Sequence, residues 1–281
     1  MRVRSTTDID RFRAEVGPWL LRKPVENNVL LYHTYDPSGA LPGDSPAHPR
    51  WVVDSTDEVV GAAWVHAPYR PTITDMPTPA ALALAEELAK QETWLPGVNG
   101  PTEAATAFAG RWAEVTGRTA KRERDQWLMV CTNANRIPQI PGSPRLGRAD
   151  EVDQVATWFS TTMRDSGMSP DDILRYMHHM VADQVEGTRL ILWEDKDTIV
   201  GAAGRARPIG GVVRPSGVFV HPDHRSGGYA AALLGETTAR ALEDGADACT
   251  CIHYLEYAQM QAVVEKVGYH HVQDLTEYRF A

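Results

Sequence analysis

Apolar residues recur along the chain at two kinds of spacing, and each kind predicts a different element. Spacings of three and four residues over Asp8–Leu21, Val25–Tyr35 and Glu151–Asp165 predict amphipathic helices. Short apolar runs interrupted by polar turns predict strands, because successive side chains of a strand face opposite sides. The pattern therefore predicts a mixed α/β protein.

One seven-residue phrase occurs twice, as DEVVGAA at Asp57–Ala63 and as DTIVGAA at Asp197–Ala203. The offset is 140 residues in a chain of 281, which is close to half its length. Each copy follows an apolar run and a polar turn and is followed by a proline, Pro68 or Pro208, so each predicts a β-hairpin. The equal spacing predicts a duplicated domain.

A proline-rich stretch separates the two copies. Ile137–Pro144 contains three prolines in eight residues and is the expected linker. The predicted organisation is a first domain of residues 1–136, a linker of residues 137–144 and a second domain of residues 145–281. Either domain is long enough to bury a core of its own.

Ser169, followed by Pro170, Asp171 and Asp172, predicts the N-terminus of a helix. We expect Ser169 to cap a helix that runs to about Val185, with the proline in the first turn and Asp172 as the capping-box partner. Alternatively, the acidic pair Asp171 and Asp172 could bind an amine.

The net charge of −9 argues against nucleic-acid binding, as does the lack of any basic cluster beyond Lys121–Arg124. No window approaches the ~18 apolar residues of a membrane span, so we expect a soluble, cytoplasmic protein with no membrane partner. Cys249 and Cys251 share one strand face, and we interpret them as core residues. The histidine pairs lack partners at metal spacing, so no metal is expected.

A glycine-bearing turn distinguishes the second half. Gly217–Val220 predicts a strand, Gly227 and Gly228 lie in a tight turn, and Tyr229–Asp244 predicts a helix. A strand, a glycine turn and a helix N-terminus together favour phosphate binding, because backbone N–H groups and the helix dipole face the anion. The matching place in the first half reads PAALALAEELAK, a helix without glycine, so we expect the first half to be a scaffold.

The ordered motifs of the second half resemble the GCN5-related N-acetyltransferase (GNAT) family. The acyl-CoA loop of that family, [Q/R]-x-x-G-x-[G/A], is matched by RSGGYA at Arg225–Ala230. A strand at Ala248–Tyr254, a helix ending before Gly268 and a final strand around Thr276–Phe280 follow in the family's order. The first half resembles a degenerate copy, as in the tandem-domain acetyltransferases of actinobacteria.

This resemblance implies two mixed, splayed sheets flanked by helices. In the second half, the pantetheine arm of acyl-CoA would enter between the strand at Val218–Val220 and the strand at Ala248–Tyr254. Acetyl-CoA or another acyl-CoA is the implied co-substrate. The residues implied to bind it are Val218, Phe219, Val220, Arg225, Ser226, Gly227, Gly228, Tyr229 and Ala230.

The catalytic groups usual in the family are missing. No Asp or Glu lies between Gly210 and Val220. Val264 occupies the position where the family often has the tyrosine that acts as the general acid. The nearby candidates are His253, which titrates near neutrality and can serve as the base, and Tyr257, which can serve as the acid. Both also fit non-catalytic roles at the end of a strand.

Three function classes follow from these residues. The first is an acyl-CoA-dependent N-acyltransferase that acts on a small-molecule amine. The alternatives are a non-catalytic acyl-CoA-binding protein, and related thioester chemistry such as transfer to another nucleophile or decarboxylation of a malonyl group. The acceptor wall is expected around Arg164–Ser169 and the C-terminal strands. We expect either a monomer whose halves form a pseudo-dimer or a homodimer.

Overall fold

The computed structural model of the chain describes residues 1–36, 47–91, 94–163 and 168–281. In the first half, two helices follow a short strand, and strands and helices then alternate. The elements of this half are β1 (Arg2–Ser5), α1 (Ile9–Leu20), α2 (Asn28–Tyr35), β2 (Arg50–Val53), β3 (Val59–Trp64), β4 (Thr72–Ile73), α3 (Thr78–Gln91), β5 (Gly97–Pro101), α4 (Thr102–Thr116) and β6 (Ala120–Cys131).

The second half repeats this order of elements, except that its fourth strand position is divided into two parts. Its elements are β7 (Ser143–Leu146), α5 (Val152–Ser160), α6 (Pro170–Glu186), β8 (Leu190–Asp195), β9 (Thr198–Arg205), β10 (Val212–Val213), β11 (Pro215–Val220), α7 (Tyr229–Glu243), β12 (Ala248–Tyr254), α8 (Ala258–Val267) and β13 (His270–Phe280).

The two predicted hairpins are present. β2 pairs antiparallel with β3, and β8 pairs antiparallel with β9, with a bulge in each pair. The two copies of the repeated phrase form the second strand of their hairpins. The repetition in the sequence therefore corresponds to a repetition in the fold.

The helix starts follow from local capping. The Ser169 side chain accepts a hydrogen bond from the backbone N–H of Asp172, and Pro170 occupies the first turn of α6. The Asp172 carboxylate accepts from the Ser169 hydroxyl at 2.7 Å and not from the Ser169 backbone N–H, so the predicted cap is present but the reciprocal bond of a capping box is not. In the same way, Asp8 accepts from the N–H groups of Asp10 and Arg11 at the start of α1. No helix among the described residues has the length and apolar character that a membrane span requires.

The strands form two sheets. The larger has nine strands in the order β1-β2-β3-β4-β5-β13-β6-β12-β10, and the smaller has four in the order β11-β9-β8-β7. Helices cover both sheets, and the fold class predicted from the sequence, mixed splayed sheets flanked by helices, is confirmed.

The two halves exchange strands at the centre of the larger sheet. β13, the last strand of the second half, pairs with β5 of the first half, whereas β6 of the first half pairs with β12 of the second. β6 and β13 also pair with each other along most of their length. The halves are therefore joined by one continuous sheet.

The exchange extends into the hydrophobic cores. Phe280 of β13 is buried in the core of α3 and α4, where its ring stacks on that of Trp112 at 5.5 Å between centroids. In return, Met129 and Cys131 of β6 are buried against Val264 of α8. Each half thus completes the core of the other.

The predicted linker of residues 137–144 runs into regular structure. β7 begins at Ser143, and the Trp193 indole N–H donates to the carbonyl of Pro141 at 2.8 Å. The exact boundary between the two domains stays a prediction.

Candidate functional site

The strand that leads to the glycine turn divides between the two sheets. Its first part, β10, pairs in parallel with β12, and Val212 lies opposite Ala248. Arg214 follows, and β11 then pairs antiparallel with β9 in the other sheet. β11 and β12 therefore diverge like the arms of a V, and β11 is an edge strand of the smaller sheet in the part of the chain that the structure describes.

The turn between β11 and α7 is held by backbone contacts. The N–H of His221 donates to the carbonyl of Val200 on β9 at 2.9 Å, and Pro222–His224 forms a single 3-10 turn. The Tyr229 hydroxyl, at the start of α7, donates to the Asp195 carboxylate at 3.1 Å. These contacts fix both ends of the turn relative to the β8–β9 hairpin.

Left-handed backbone lets the turn enter the helix. Ser226 has φ 67° and Gly228 has φ 84°, and glycine adopts such values without a steric cost. A Cβ at Gly228 would lie 2.7 Å from the Cδ1 of Ile140. The backbone conformation therefore favours glycine, and any larger residue would require the end of the Ile140 side chain to shift.

The N-terminus of α7 offers donors to an anion. Among the described residues, no side chain caps this helix, and its first intrahelical bond runs from Ala232 N–H to the carbonyl of Gly228. The N–H groups of the first turn are therefore directed out of the helix, where the dipole adds about half a positive charge. The exposed Arg225 adds a full charge beside them.

An open cleft of about 700 Å³ lies in front of this turn. Every residue implied by the family resemblance lines it except Gly227. The predicted residues that line the cleft are Val218, Phe219, Val220, Arg225, Ser226, Gly228, Tyr229 and Ala230.

Two further segments line the cleft that the sequence did not indicate. Thr161 and Thr162 come from the 3-10 turn that follows α5, and Gln259, Met260 and Val263 come from α8. Their spacing is that of ordinary helices, so no local signal distinguishes them. They join the cleft because α5 and α8 stand on its two sides.

His253 lies beneath α8 and does not line the cleft. Its side chain is 3% exposed and falls on the strand face of Cys251, which packs toward Val264. Its Nε2 atom is buried and lacks a hydrogen-bond partner among the described residues. Burial lowers the pKa of His253, and the negative charge of Glu265 opposes this effect.

Tyr257 immediately precedes α8 and is 52% exposed. Its ring contacts that of Tyr254 at 6.1 Å, and the Tyr254 hydroxyl donates to the Glu277 carboxylate at 3.2 Å. Burial raises the pKa of Tyr254. Neither tyrosine lines the cleft, so catalytic roles for His253 and Tyr257 remain predictions.

The other predicted features are placed as follows. Cys249 and Cys251 are free thiols, and burial raises the pKa of each to about 12. No three His, Cys, Asp or Glu side chains within the described ranges are grouped to hold a metal ion. Most of the expected acceptor wall around Arg164–Ser169 lies outside the described residues.

The first half has a different arrangement at the corresponding place. α3 begins at Thr78, shortly after β4, and packs directly on α4. Leu84 and Leu88 of α3 and Phe108 and Trp112 of α4 are fully buried in one core. In the second half, by contrast, α7 and α8 both contribute residues to the open cleft.

Comparison with known proteins shows what the second half is similar to. Residues 152–269 match the model of the acetyltransferase (GNAT) family. The match contains the divided strand, the glycine turn, α7, β12 and α8. Residues 152–269 of the chain are therefore similar to the acetyltransferase domain of that family.

Solved structures match the whole chain. An acetyltransferase from the GNAT family from Colwellia psychrerythraea shares 12% identity with a TM-score of 0.61, covering 100% of both chains. A GCN5-related N-acetyltransferase from Sphaerobacter thermophilus shares 17% identity with a TM-score of 0.63, covering 99% of this chain and 94% of that one.

A tandem GNAT protein from the clavulanic acid biosynthesis pathway shares 11% identity with a TM-score of 0.53, covering 100% of this chain and 98% of the other. Identities this low show a shared fold and nothing about substrates. The chain matches no curated protein in sequence.

Proposed function

We propose that the protein is an acyl-CoA-dependent N-acyltransferase that acts on a small-molecule amine and binds acyl-CoA, most simply acetyl-CoA, in its second half only. The observation that carries the proposal is the open cleft between the divided strand and α8, with the uncapped N-terminus of α7 at one end. An anionic, elongated ligand fits both features.

The cleft residues divide into two roles. The free edge of β11 at Val218–Val220 offers backbone groups to the amides of the pantetheine arm. The first-turn N–H groups of α7 and the charge of Arg225 receive the pyrophosphate. The thioester then lies near the point where β10 and β11 separate, where backbone N–H groups polarise its carbonyl.

The first half lacks the features that support acyl-CoA binding in the second half. Its α3 and α4 are packed together, and its matching helix begins without a glycine turn. We therefore propose that it serves as a structural partner and does not bind a second acyl-CoA.

Calorimetric titration of the full chain with acetyl-CoA tests the proposal. The expected result is one site per chain. Two equivalent sites would contradict the assignment to the second half, and the absence of binding would contradict the function itself.

Mass spectrometry of an amine mixture incubated with the protein and acetyl-CoA then tests for transfer. Binding without any acylated product would favour a non-catalytic acyl-CoA-binding protein, for which the lack of an acidic residue on β11 is the supporting observation. Loss of carbon dioxide from malonyl-CoA without an amine would favour the third function class.

A further inference from the structure

A small cavity reaches the point where β10 and β11 separate, and both halves build it. The first half contributes Glu26 and Asn28, next to and within α2, and Asn99 of β5. The second half contributes Arg214, at the division of the strand, and Thr250 of β12. The cavity measures about 30 Å³, room for about two water molecules.

The cavity lies on the side of the sheet opposite α8. Thr250 and Ile252 of β12 line it, and they fall on the strand face opposite to that of Cys249, which packs in the same cluster as Val264 of α8. Cys251, on the face of Cys249, also borders the cavity. A group in the cavity therefore approaches the divided strand from the side opposite the cleft.

Polar groups in this cavity lack partners. The Oδ1 atom of Asn28, whose residue is 4% exposed, has no hydrogen-bond partner among the described residues, and neither has the buried Oδ1 atom of Asn99. A buried polar atom without a partner destabilises the fold, so native proteins seldom leave two together. These atoms are available to a ligand that donates hydrogen bonds.

Two opposite charges face the same cavity without pairing. Arg214 and Glu26 are both half-buried, and neither makes a salt bridge with any described residue. They do not pair with each other either. A cavity whose cation, anion and two amide oxygens find no partner within the described ranges is complementary to a molecule that carries both an ammonium group and a carboxylate.

We infer that the acceptor of the proposed acyltransferase is a small amino carboxylate. Arg214 binds its carboxylate, and Glu26 binds its amino group together with the amide oxygens of Asn28 and Asn99. This inference rests on the proposed function. It also gives the first half a direct part in recognition of the acceptor.

The size of the cavity limits what enters it. Its volume holds one charged group of the acceptor beside Arg214 and not a whole metabolite, so the rest of the molecule extends past Glu26. Glu26 also lines an adjoining open cleft of about 530 Å³, with Trp19, Val60 and Met76 among its walls. The remainder of a longer acceptor is accommodated there.

The reaction balances with these groups. The amine nitrogen forms a bond to the thioester carbonyl carbon, and the carbon–sulfur bond breaks. A protonated amine releases two protons: one ends on the CoA thiol and the other leaves to solvent, through the Glu26 carboxylate beside it. No further reactant is required.

The test compares matched acceptors with the full chain. Initial rates of CoA-thiol release are measured with acetyl-CoA and glycine, alanine, β-alanine or γ-aminobutyrate, each against its carboxamide. The expected kcat/KM is at least about 10-fold higher for a carboxylate than for its carboxamide, because a hydrogen bond to a charged group contributes about 10- to 150-fold. Calorimetric binding of the same probes to the protein–CoA complex provides a readout that does not depend on turnover.

Variants of the cavity residues test whether the preference for a carboxylate over its carboxamide arises in the cavity. Arg214→Gln should raise the KM for the carboxylate about 10- to 150-fold and remove the preference over the carboxamide, with an unchanged Kd for acetyl-CoA. Arg214→Lys, which keeps the charge, should keep part of the preference. Glu26→Gln should weaken amine binding. Lys121→Gln, which removes a positive charge from the exposed start of β6, is the control and should change nothing.

The outcomes separate this inference from the proposed function. If acetyl-CoA binds and amines without a carboxylate react equally well, the function stands and the amino-carboxylate assignment is wrong. The same conclusion follows if Arg214→Gln keeps the preference, or if no amino carboxylate binds or reacts. If acetyl-CoA itself does not bind, the proposed function fails first.

Discussion

A charge placed at Gly228 gives the sharpest test of where acyl-CoA binds. Gly228 stands at the N-terminus of α7 with φ 84°, next to the proposed pyrophosphate site. Gly228→Glu and Gly228→Gln introduce side chains of equal size and equal backbone strain. The two variants differ only in charge, so their comparison isolates the electrostatic effect.

The cost to stability is modest. A side chain in left-handed backbone costs about 1–2 kcal/mol, to which the approach to Ile140 adds. With an unfolding entropy of about 2.1 cal/mol/K per residue, this strain lowers the Tm of the 281-residue chain by roughly 2–3 °C. Both variants should therefore remain folded.

The cost to binding is larger for glutamate. A unit charge about 5 Å from one pyrophosphate charge, at an effective dielectric constant of about 20–30, is disfavoured by about 2–3 kcal/mol. The Kd for acetyl-CoA should therefore be about 30- to 150-fold higher for Gly228→Glu than for Gly228→Gln. Calorimetry measures both values.

Gly245, which ends the same helix, is the matched control. It has φ 97°, and an added Cβ meets no atom within 4 Å. Gly245→Glu should cost similar stability and leave the Kd unchanged. If the folded Gly228→Glu and Gly228→Gln variants bind acetyl-CoA equally well, the anion does not lie at this turn.

The remaining predictions concern His253 and the exchanged strands. If His253 is the base, His253→Ala should lower kcat about 100-fold, and the ascending limb of kcat/KM should have its midpoint below pH 6.5, because burial lowers the pKa; an unchanged limb would leave this residue without a catalytic role. Because His253 has a lower pKa in the folded chain than in the unfolded chain, the free energy of unfolding should decrease as the pH falls below about 6.5. Urea titrations at several pH values should show a smaller decrease for His253→Gln; an equal pH dependence in the two proteins would contradict the buried, neutral histidine. Phe280→Ala should cost about 3–5 kcal/mol in the same assay, whereas Val272→Ala on the exposed part of the strand should cost little; similar losses would contradict the buried role of Phe280. Residues 145–281 expressed alone should be poorly soluble or much less stable, and a well-behaved, active fragment would contradict the strand exchange.

Local signals in the sequence were sufficient for much of the fold. The two V-G-A-A hairpins, the Ser169 cap and the turn at Gly228 each depend on residues close together in the chain. The residues proposed for the CoA loop form one segment for the same reason. Such features can be predicted without knowledge of the partners that a segment finds.

Features that depend on distant partners could not be predicted. β6 begins with a highly charged stretch, and nothing in it indicates pairing with β12 and β13. The burial of His253 depends on α8 lying over it, which the pattern around it does not show. The cavity at Arg214 combines residues from both halves, and no spacing in the sequence connects Glu26 with Arg214.

The pairing of β5 with β13 has a consequence for biosynthesis. A ribosome releases residues 97–101 long before residues 270–280, and at about 5–20 residues per second the delay is roughly 10–30 s. Throughout that time the nascent chain exposes an unpaired strand edge and an incomplete aromatic cluster at Trp112. The first half therefore cannot complete its sheet and core until β13 has been synthesised, and a chain that terminates before β13 leaves both halves incomplete.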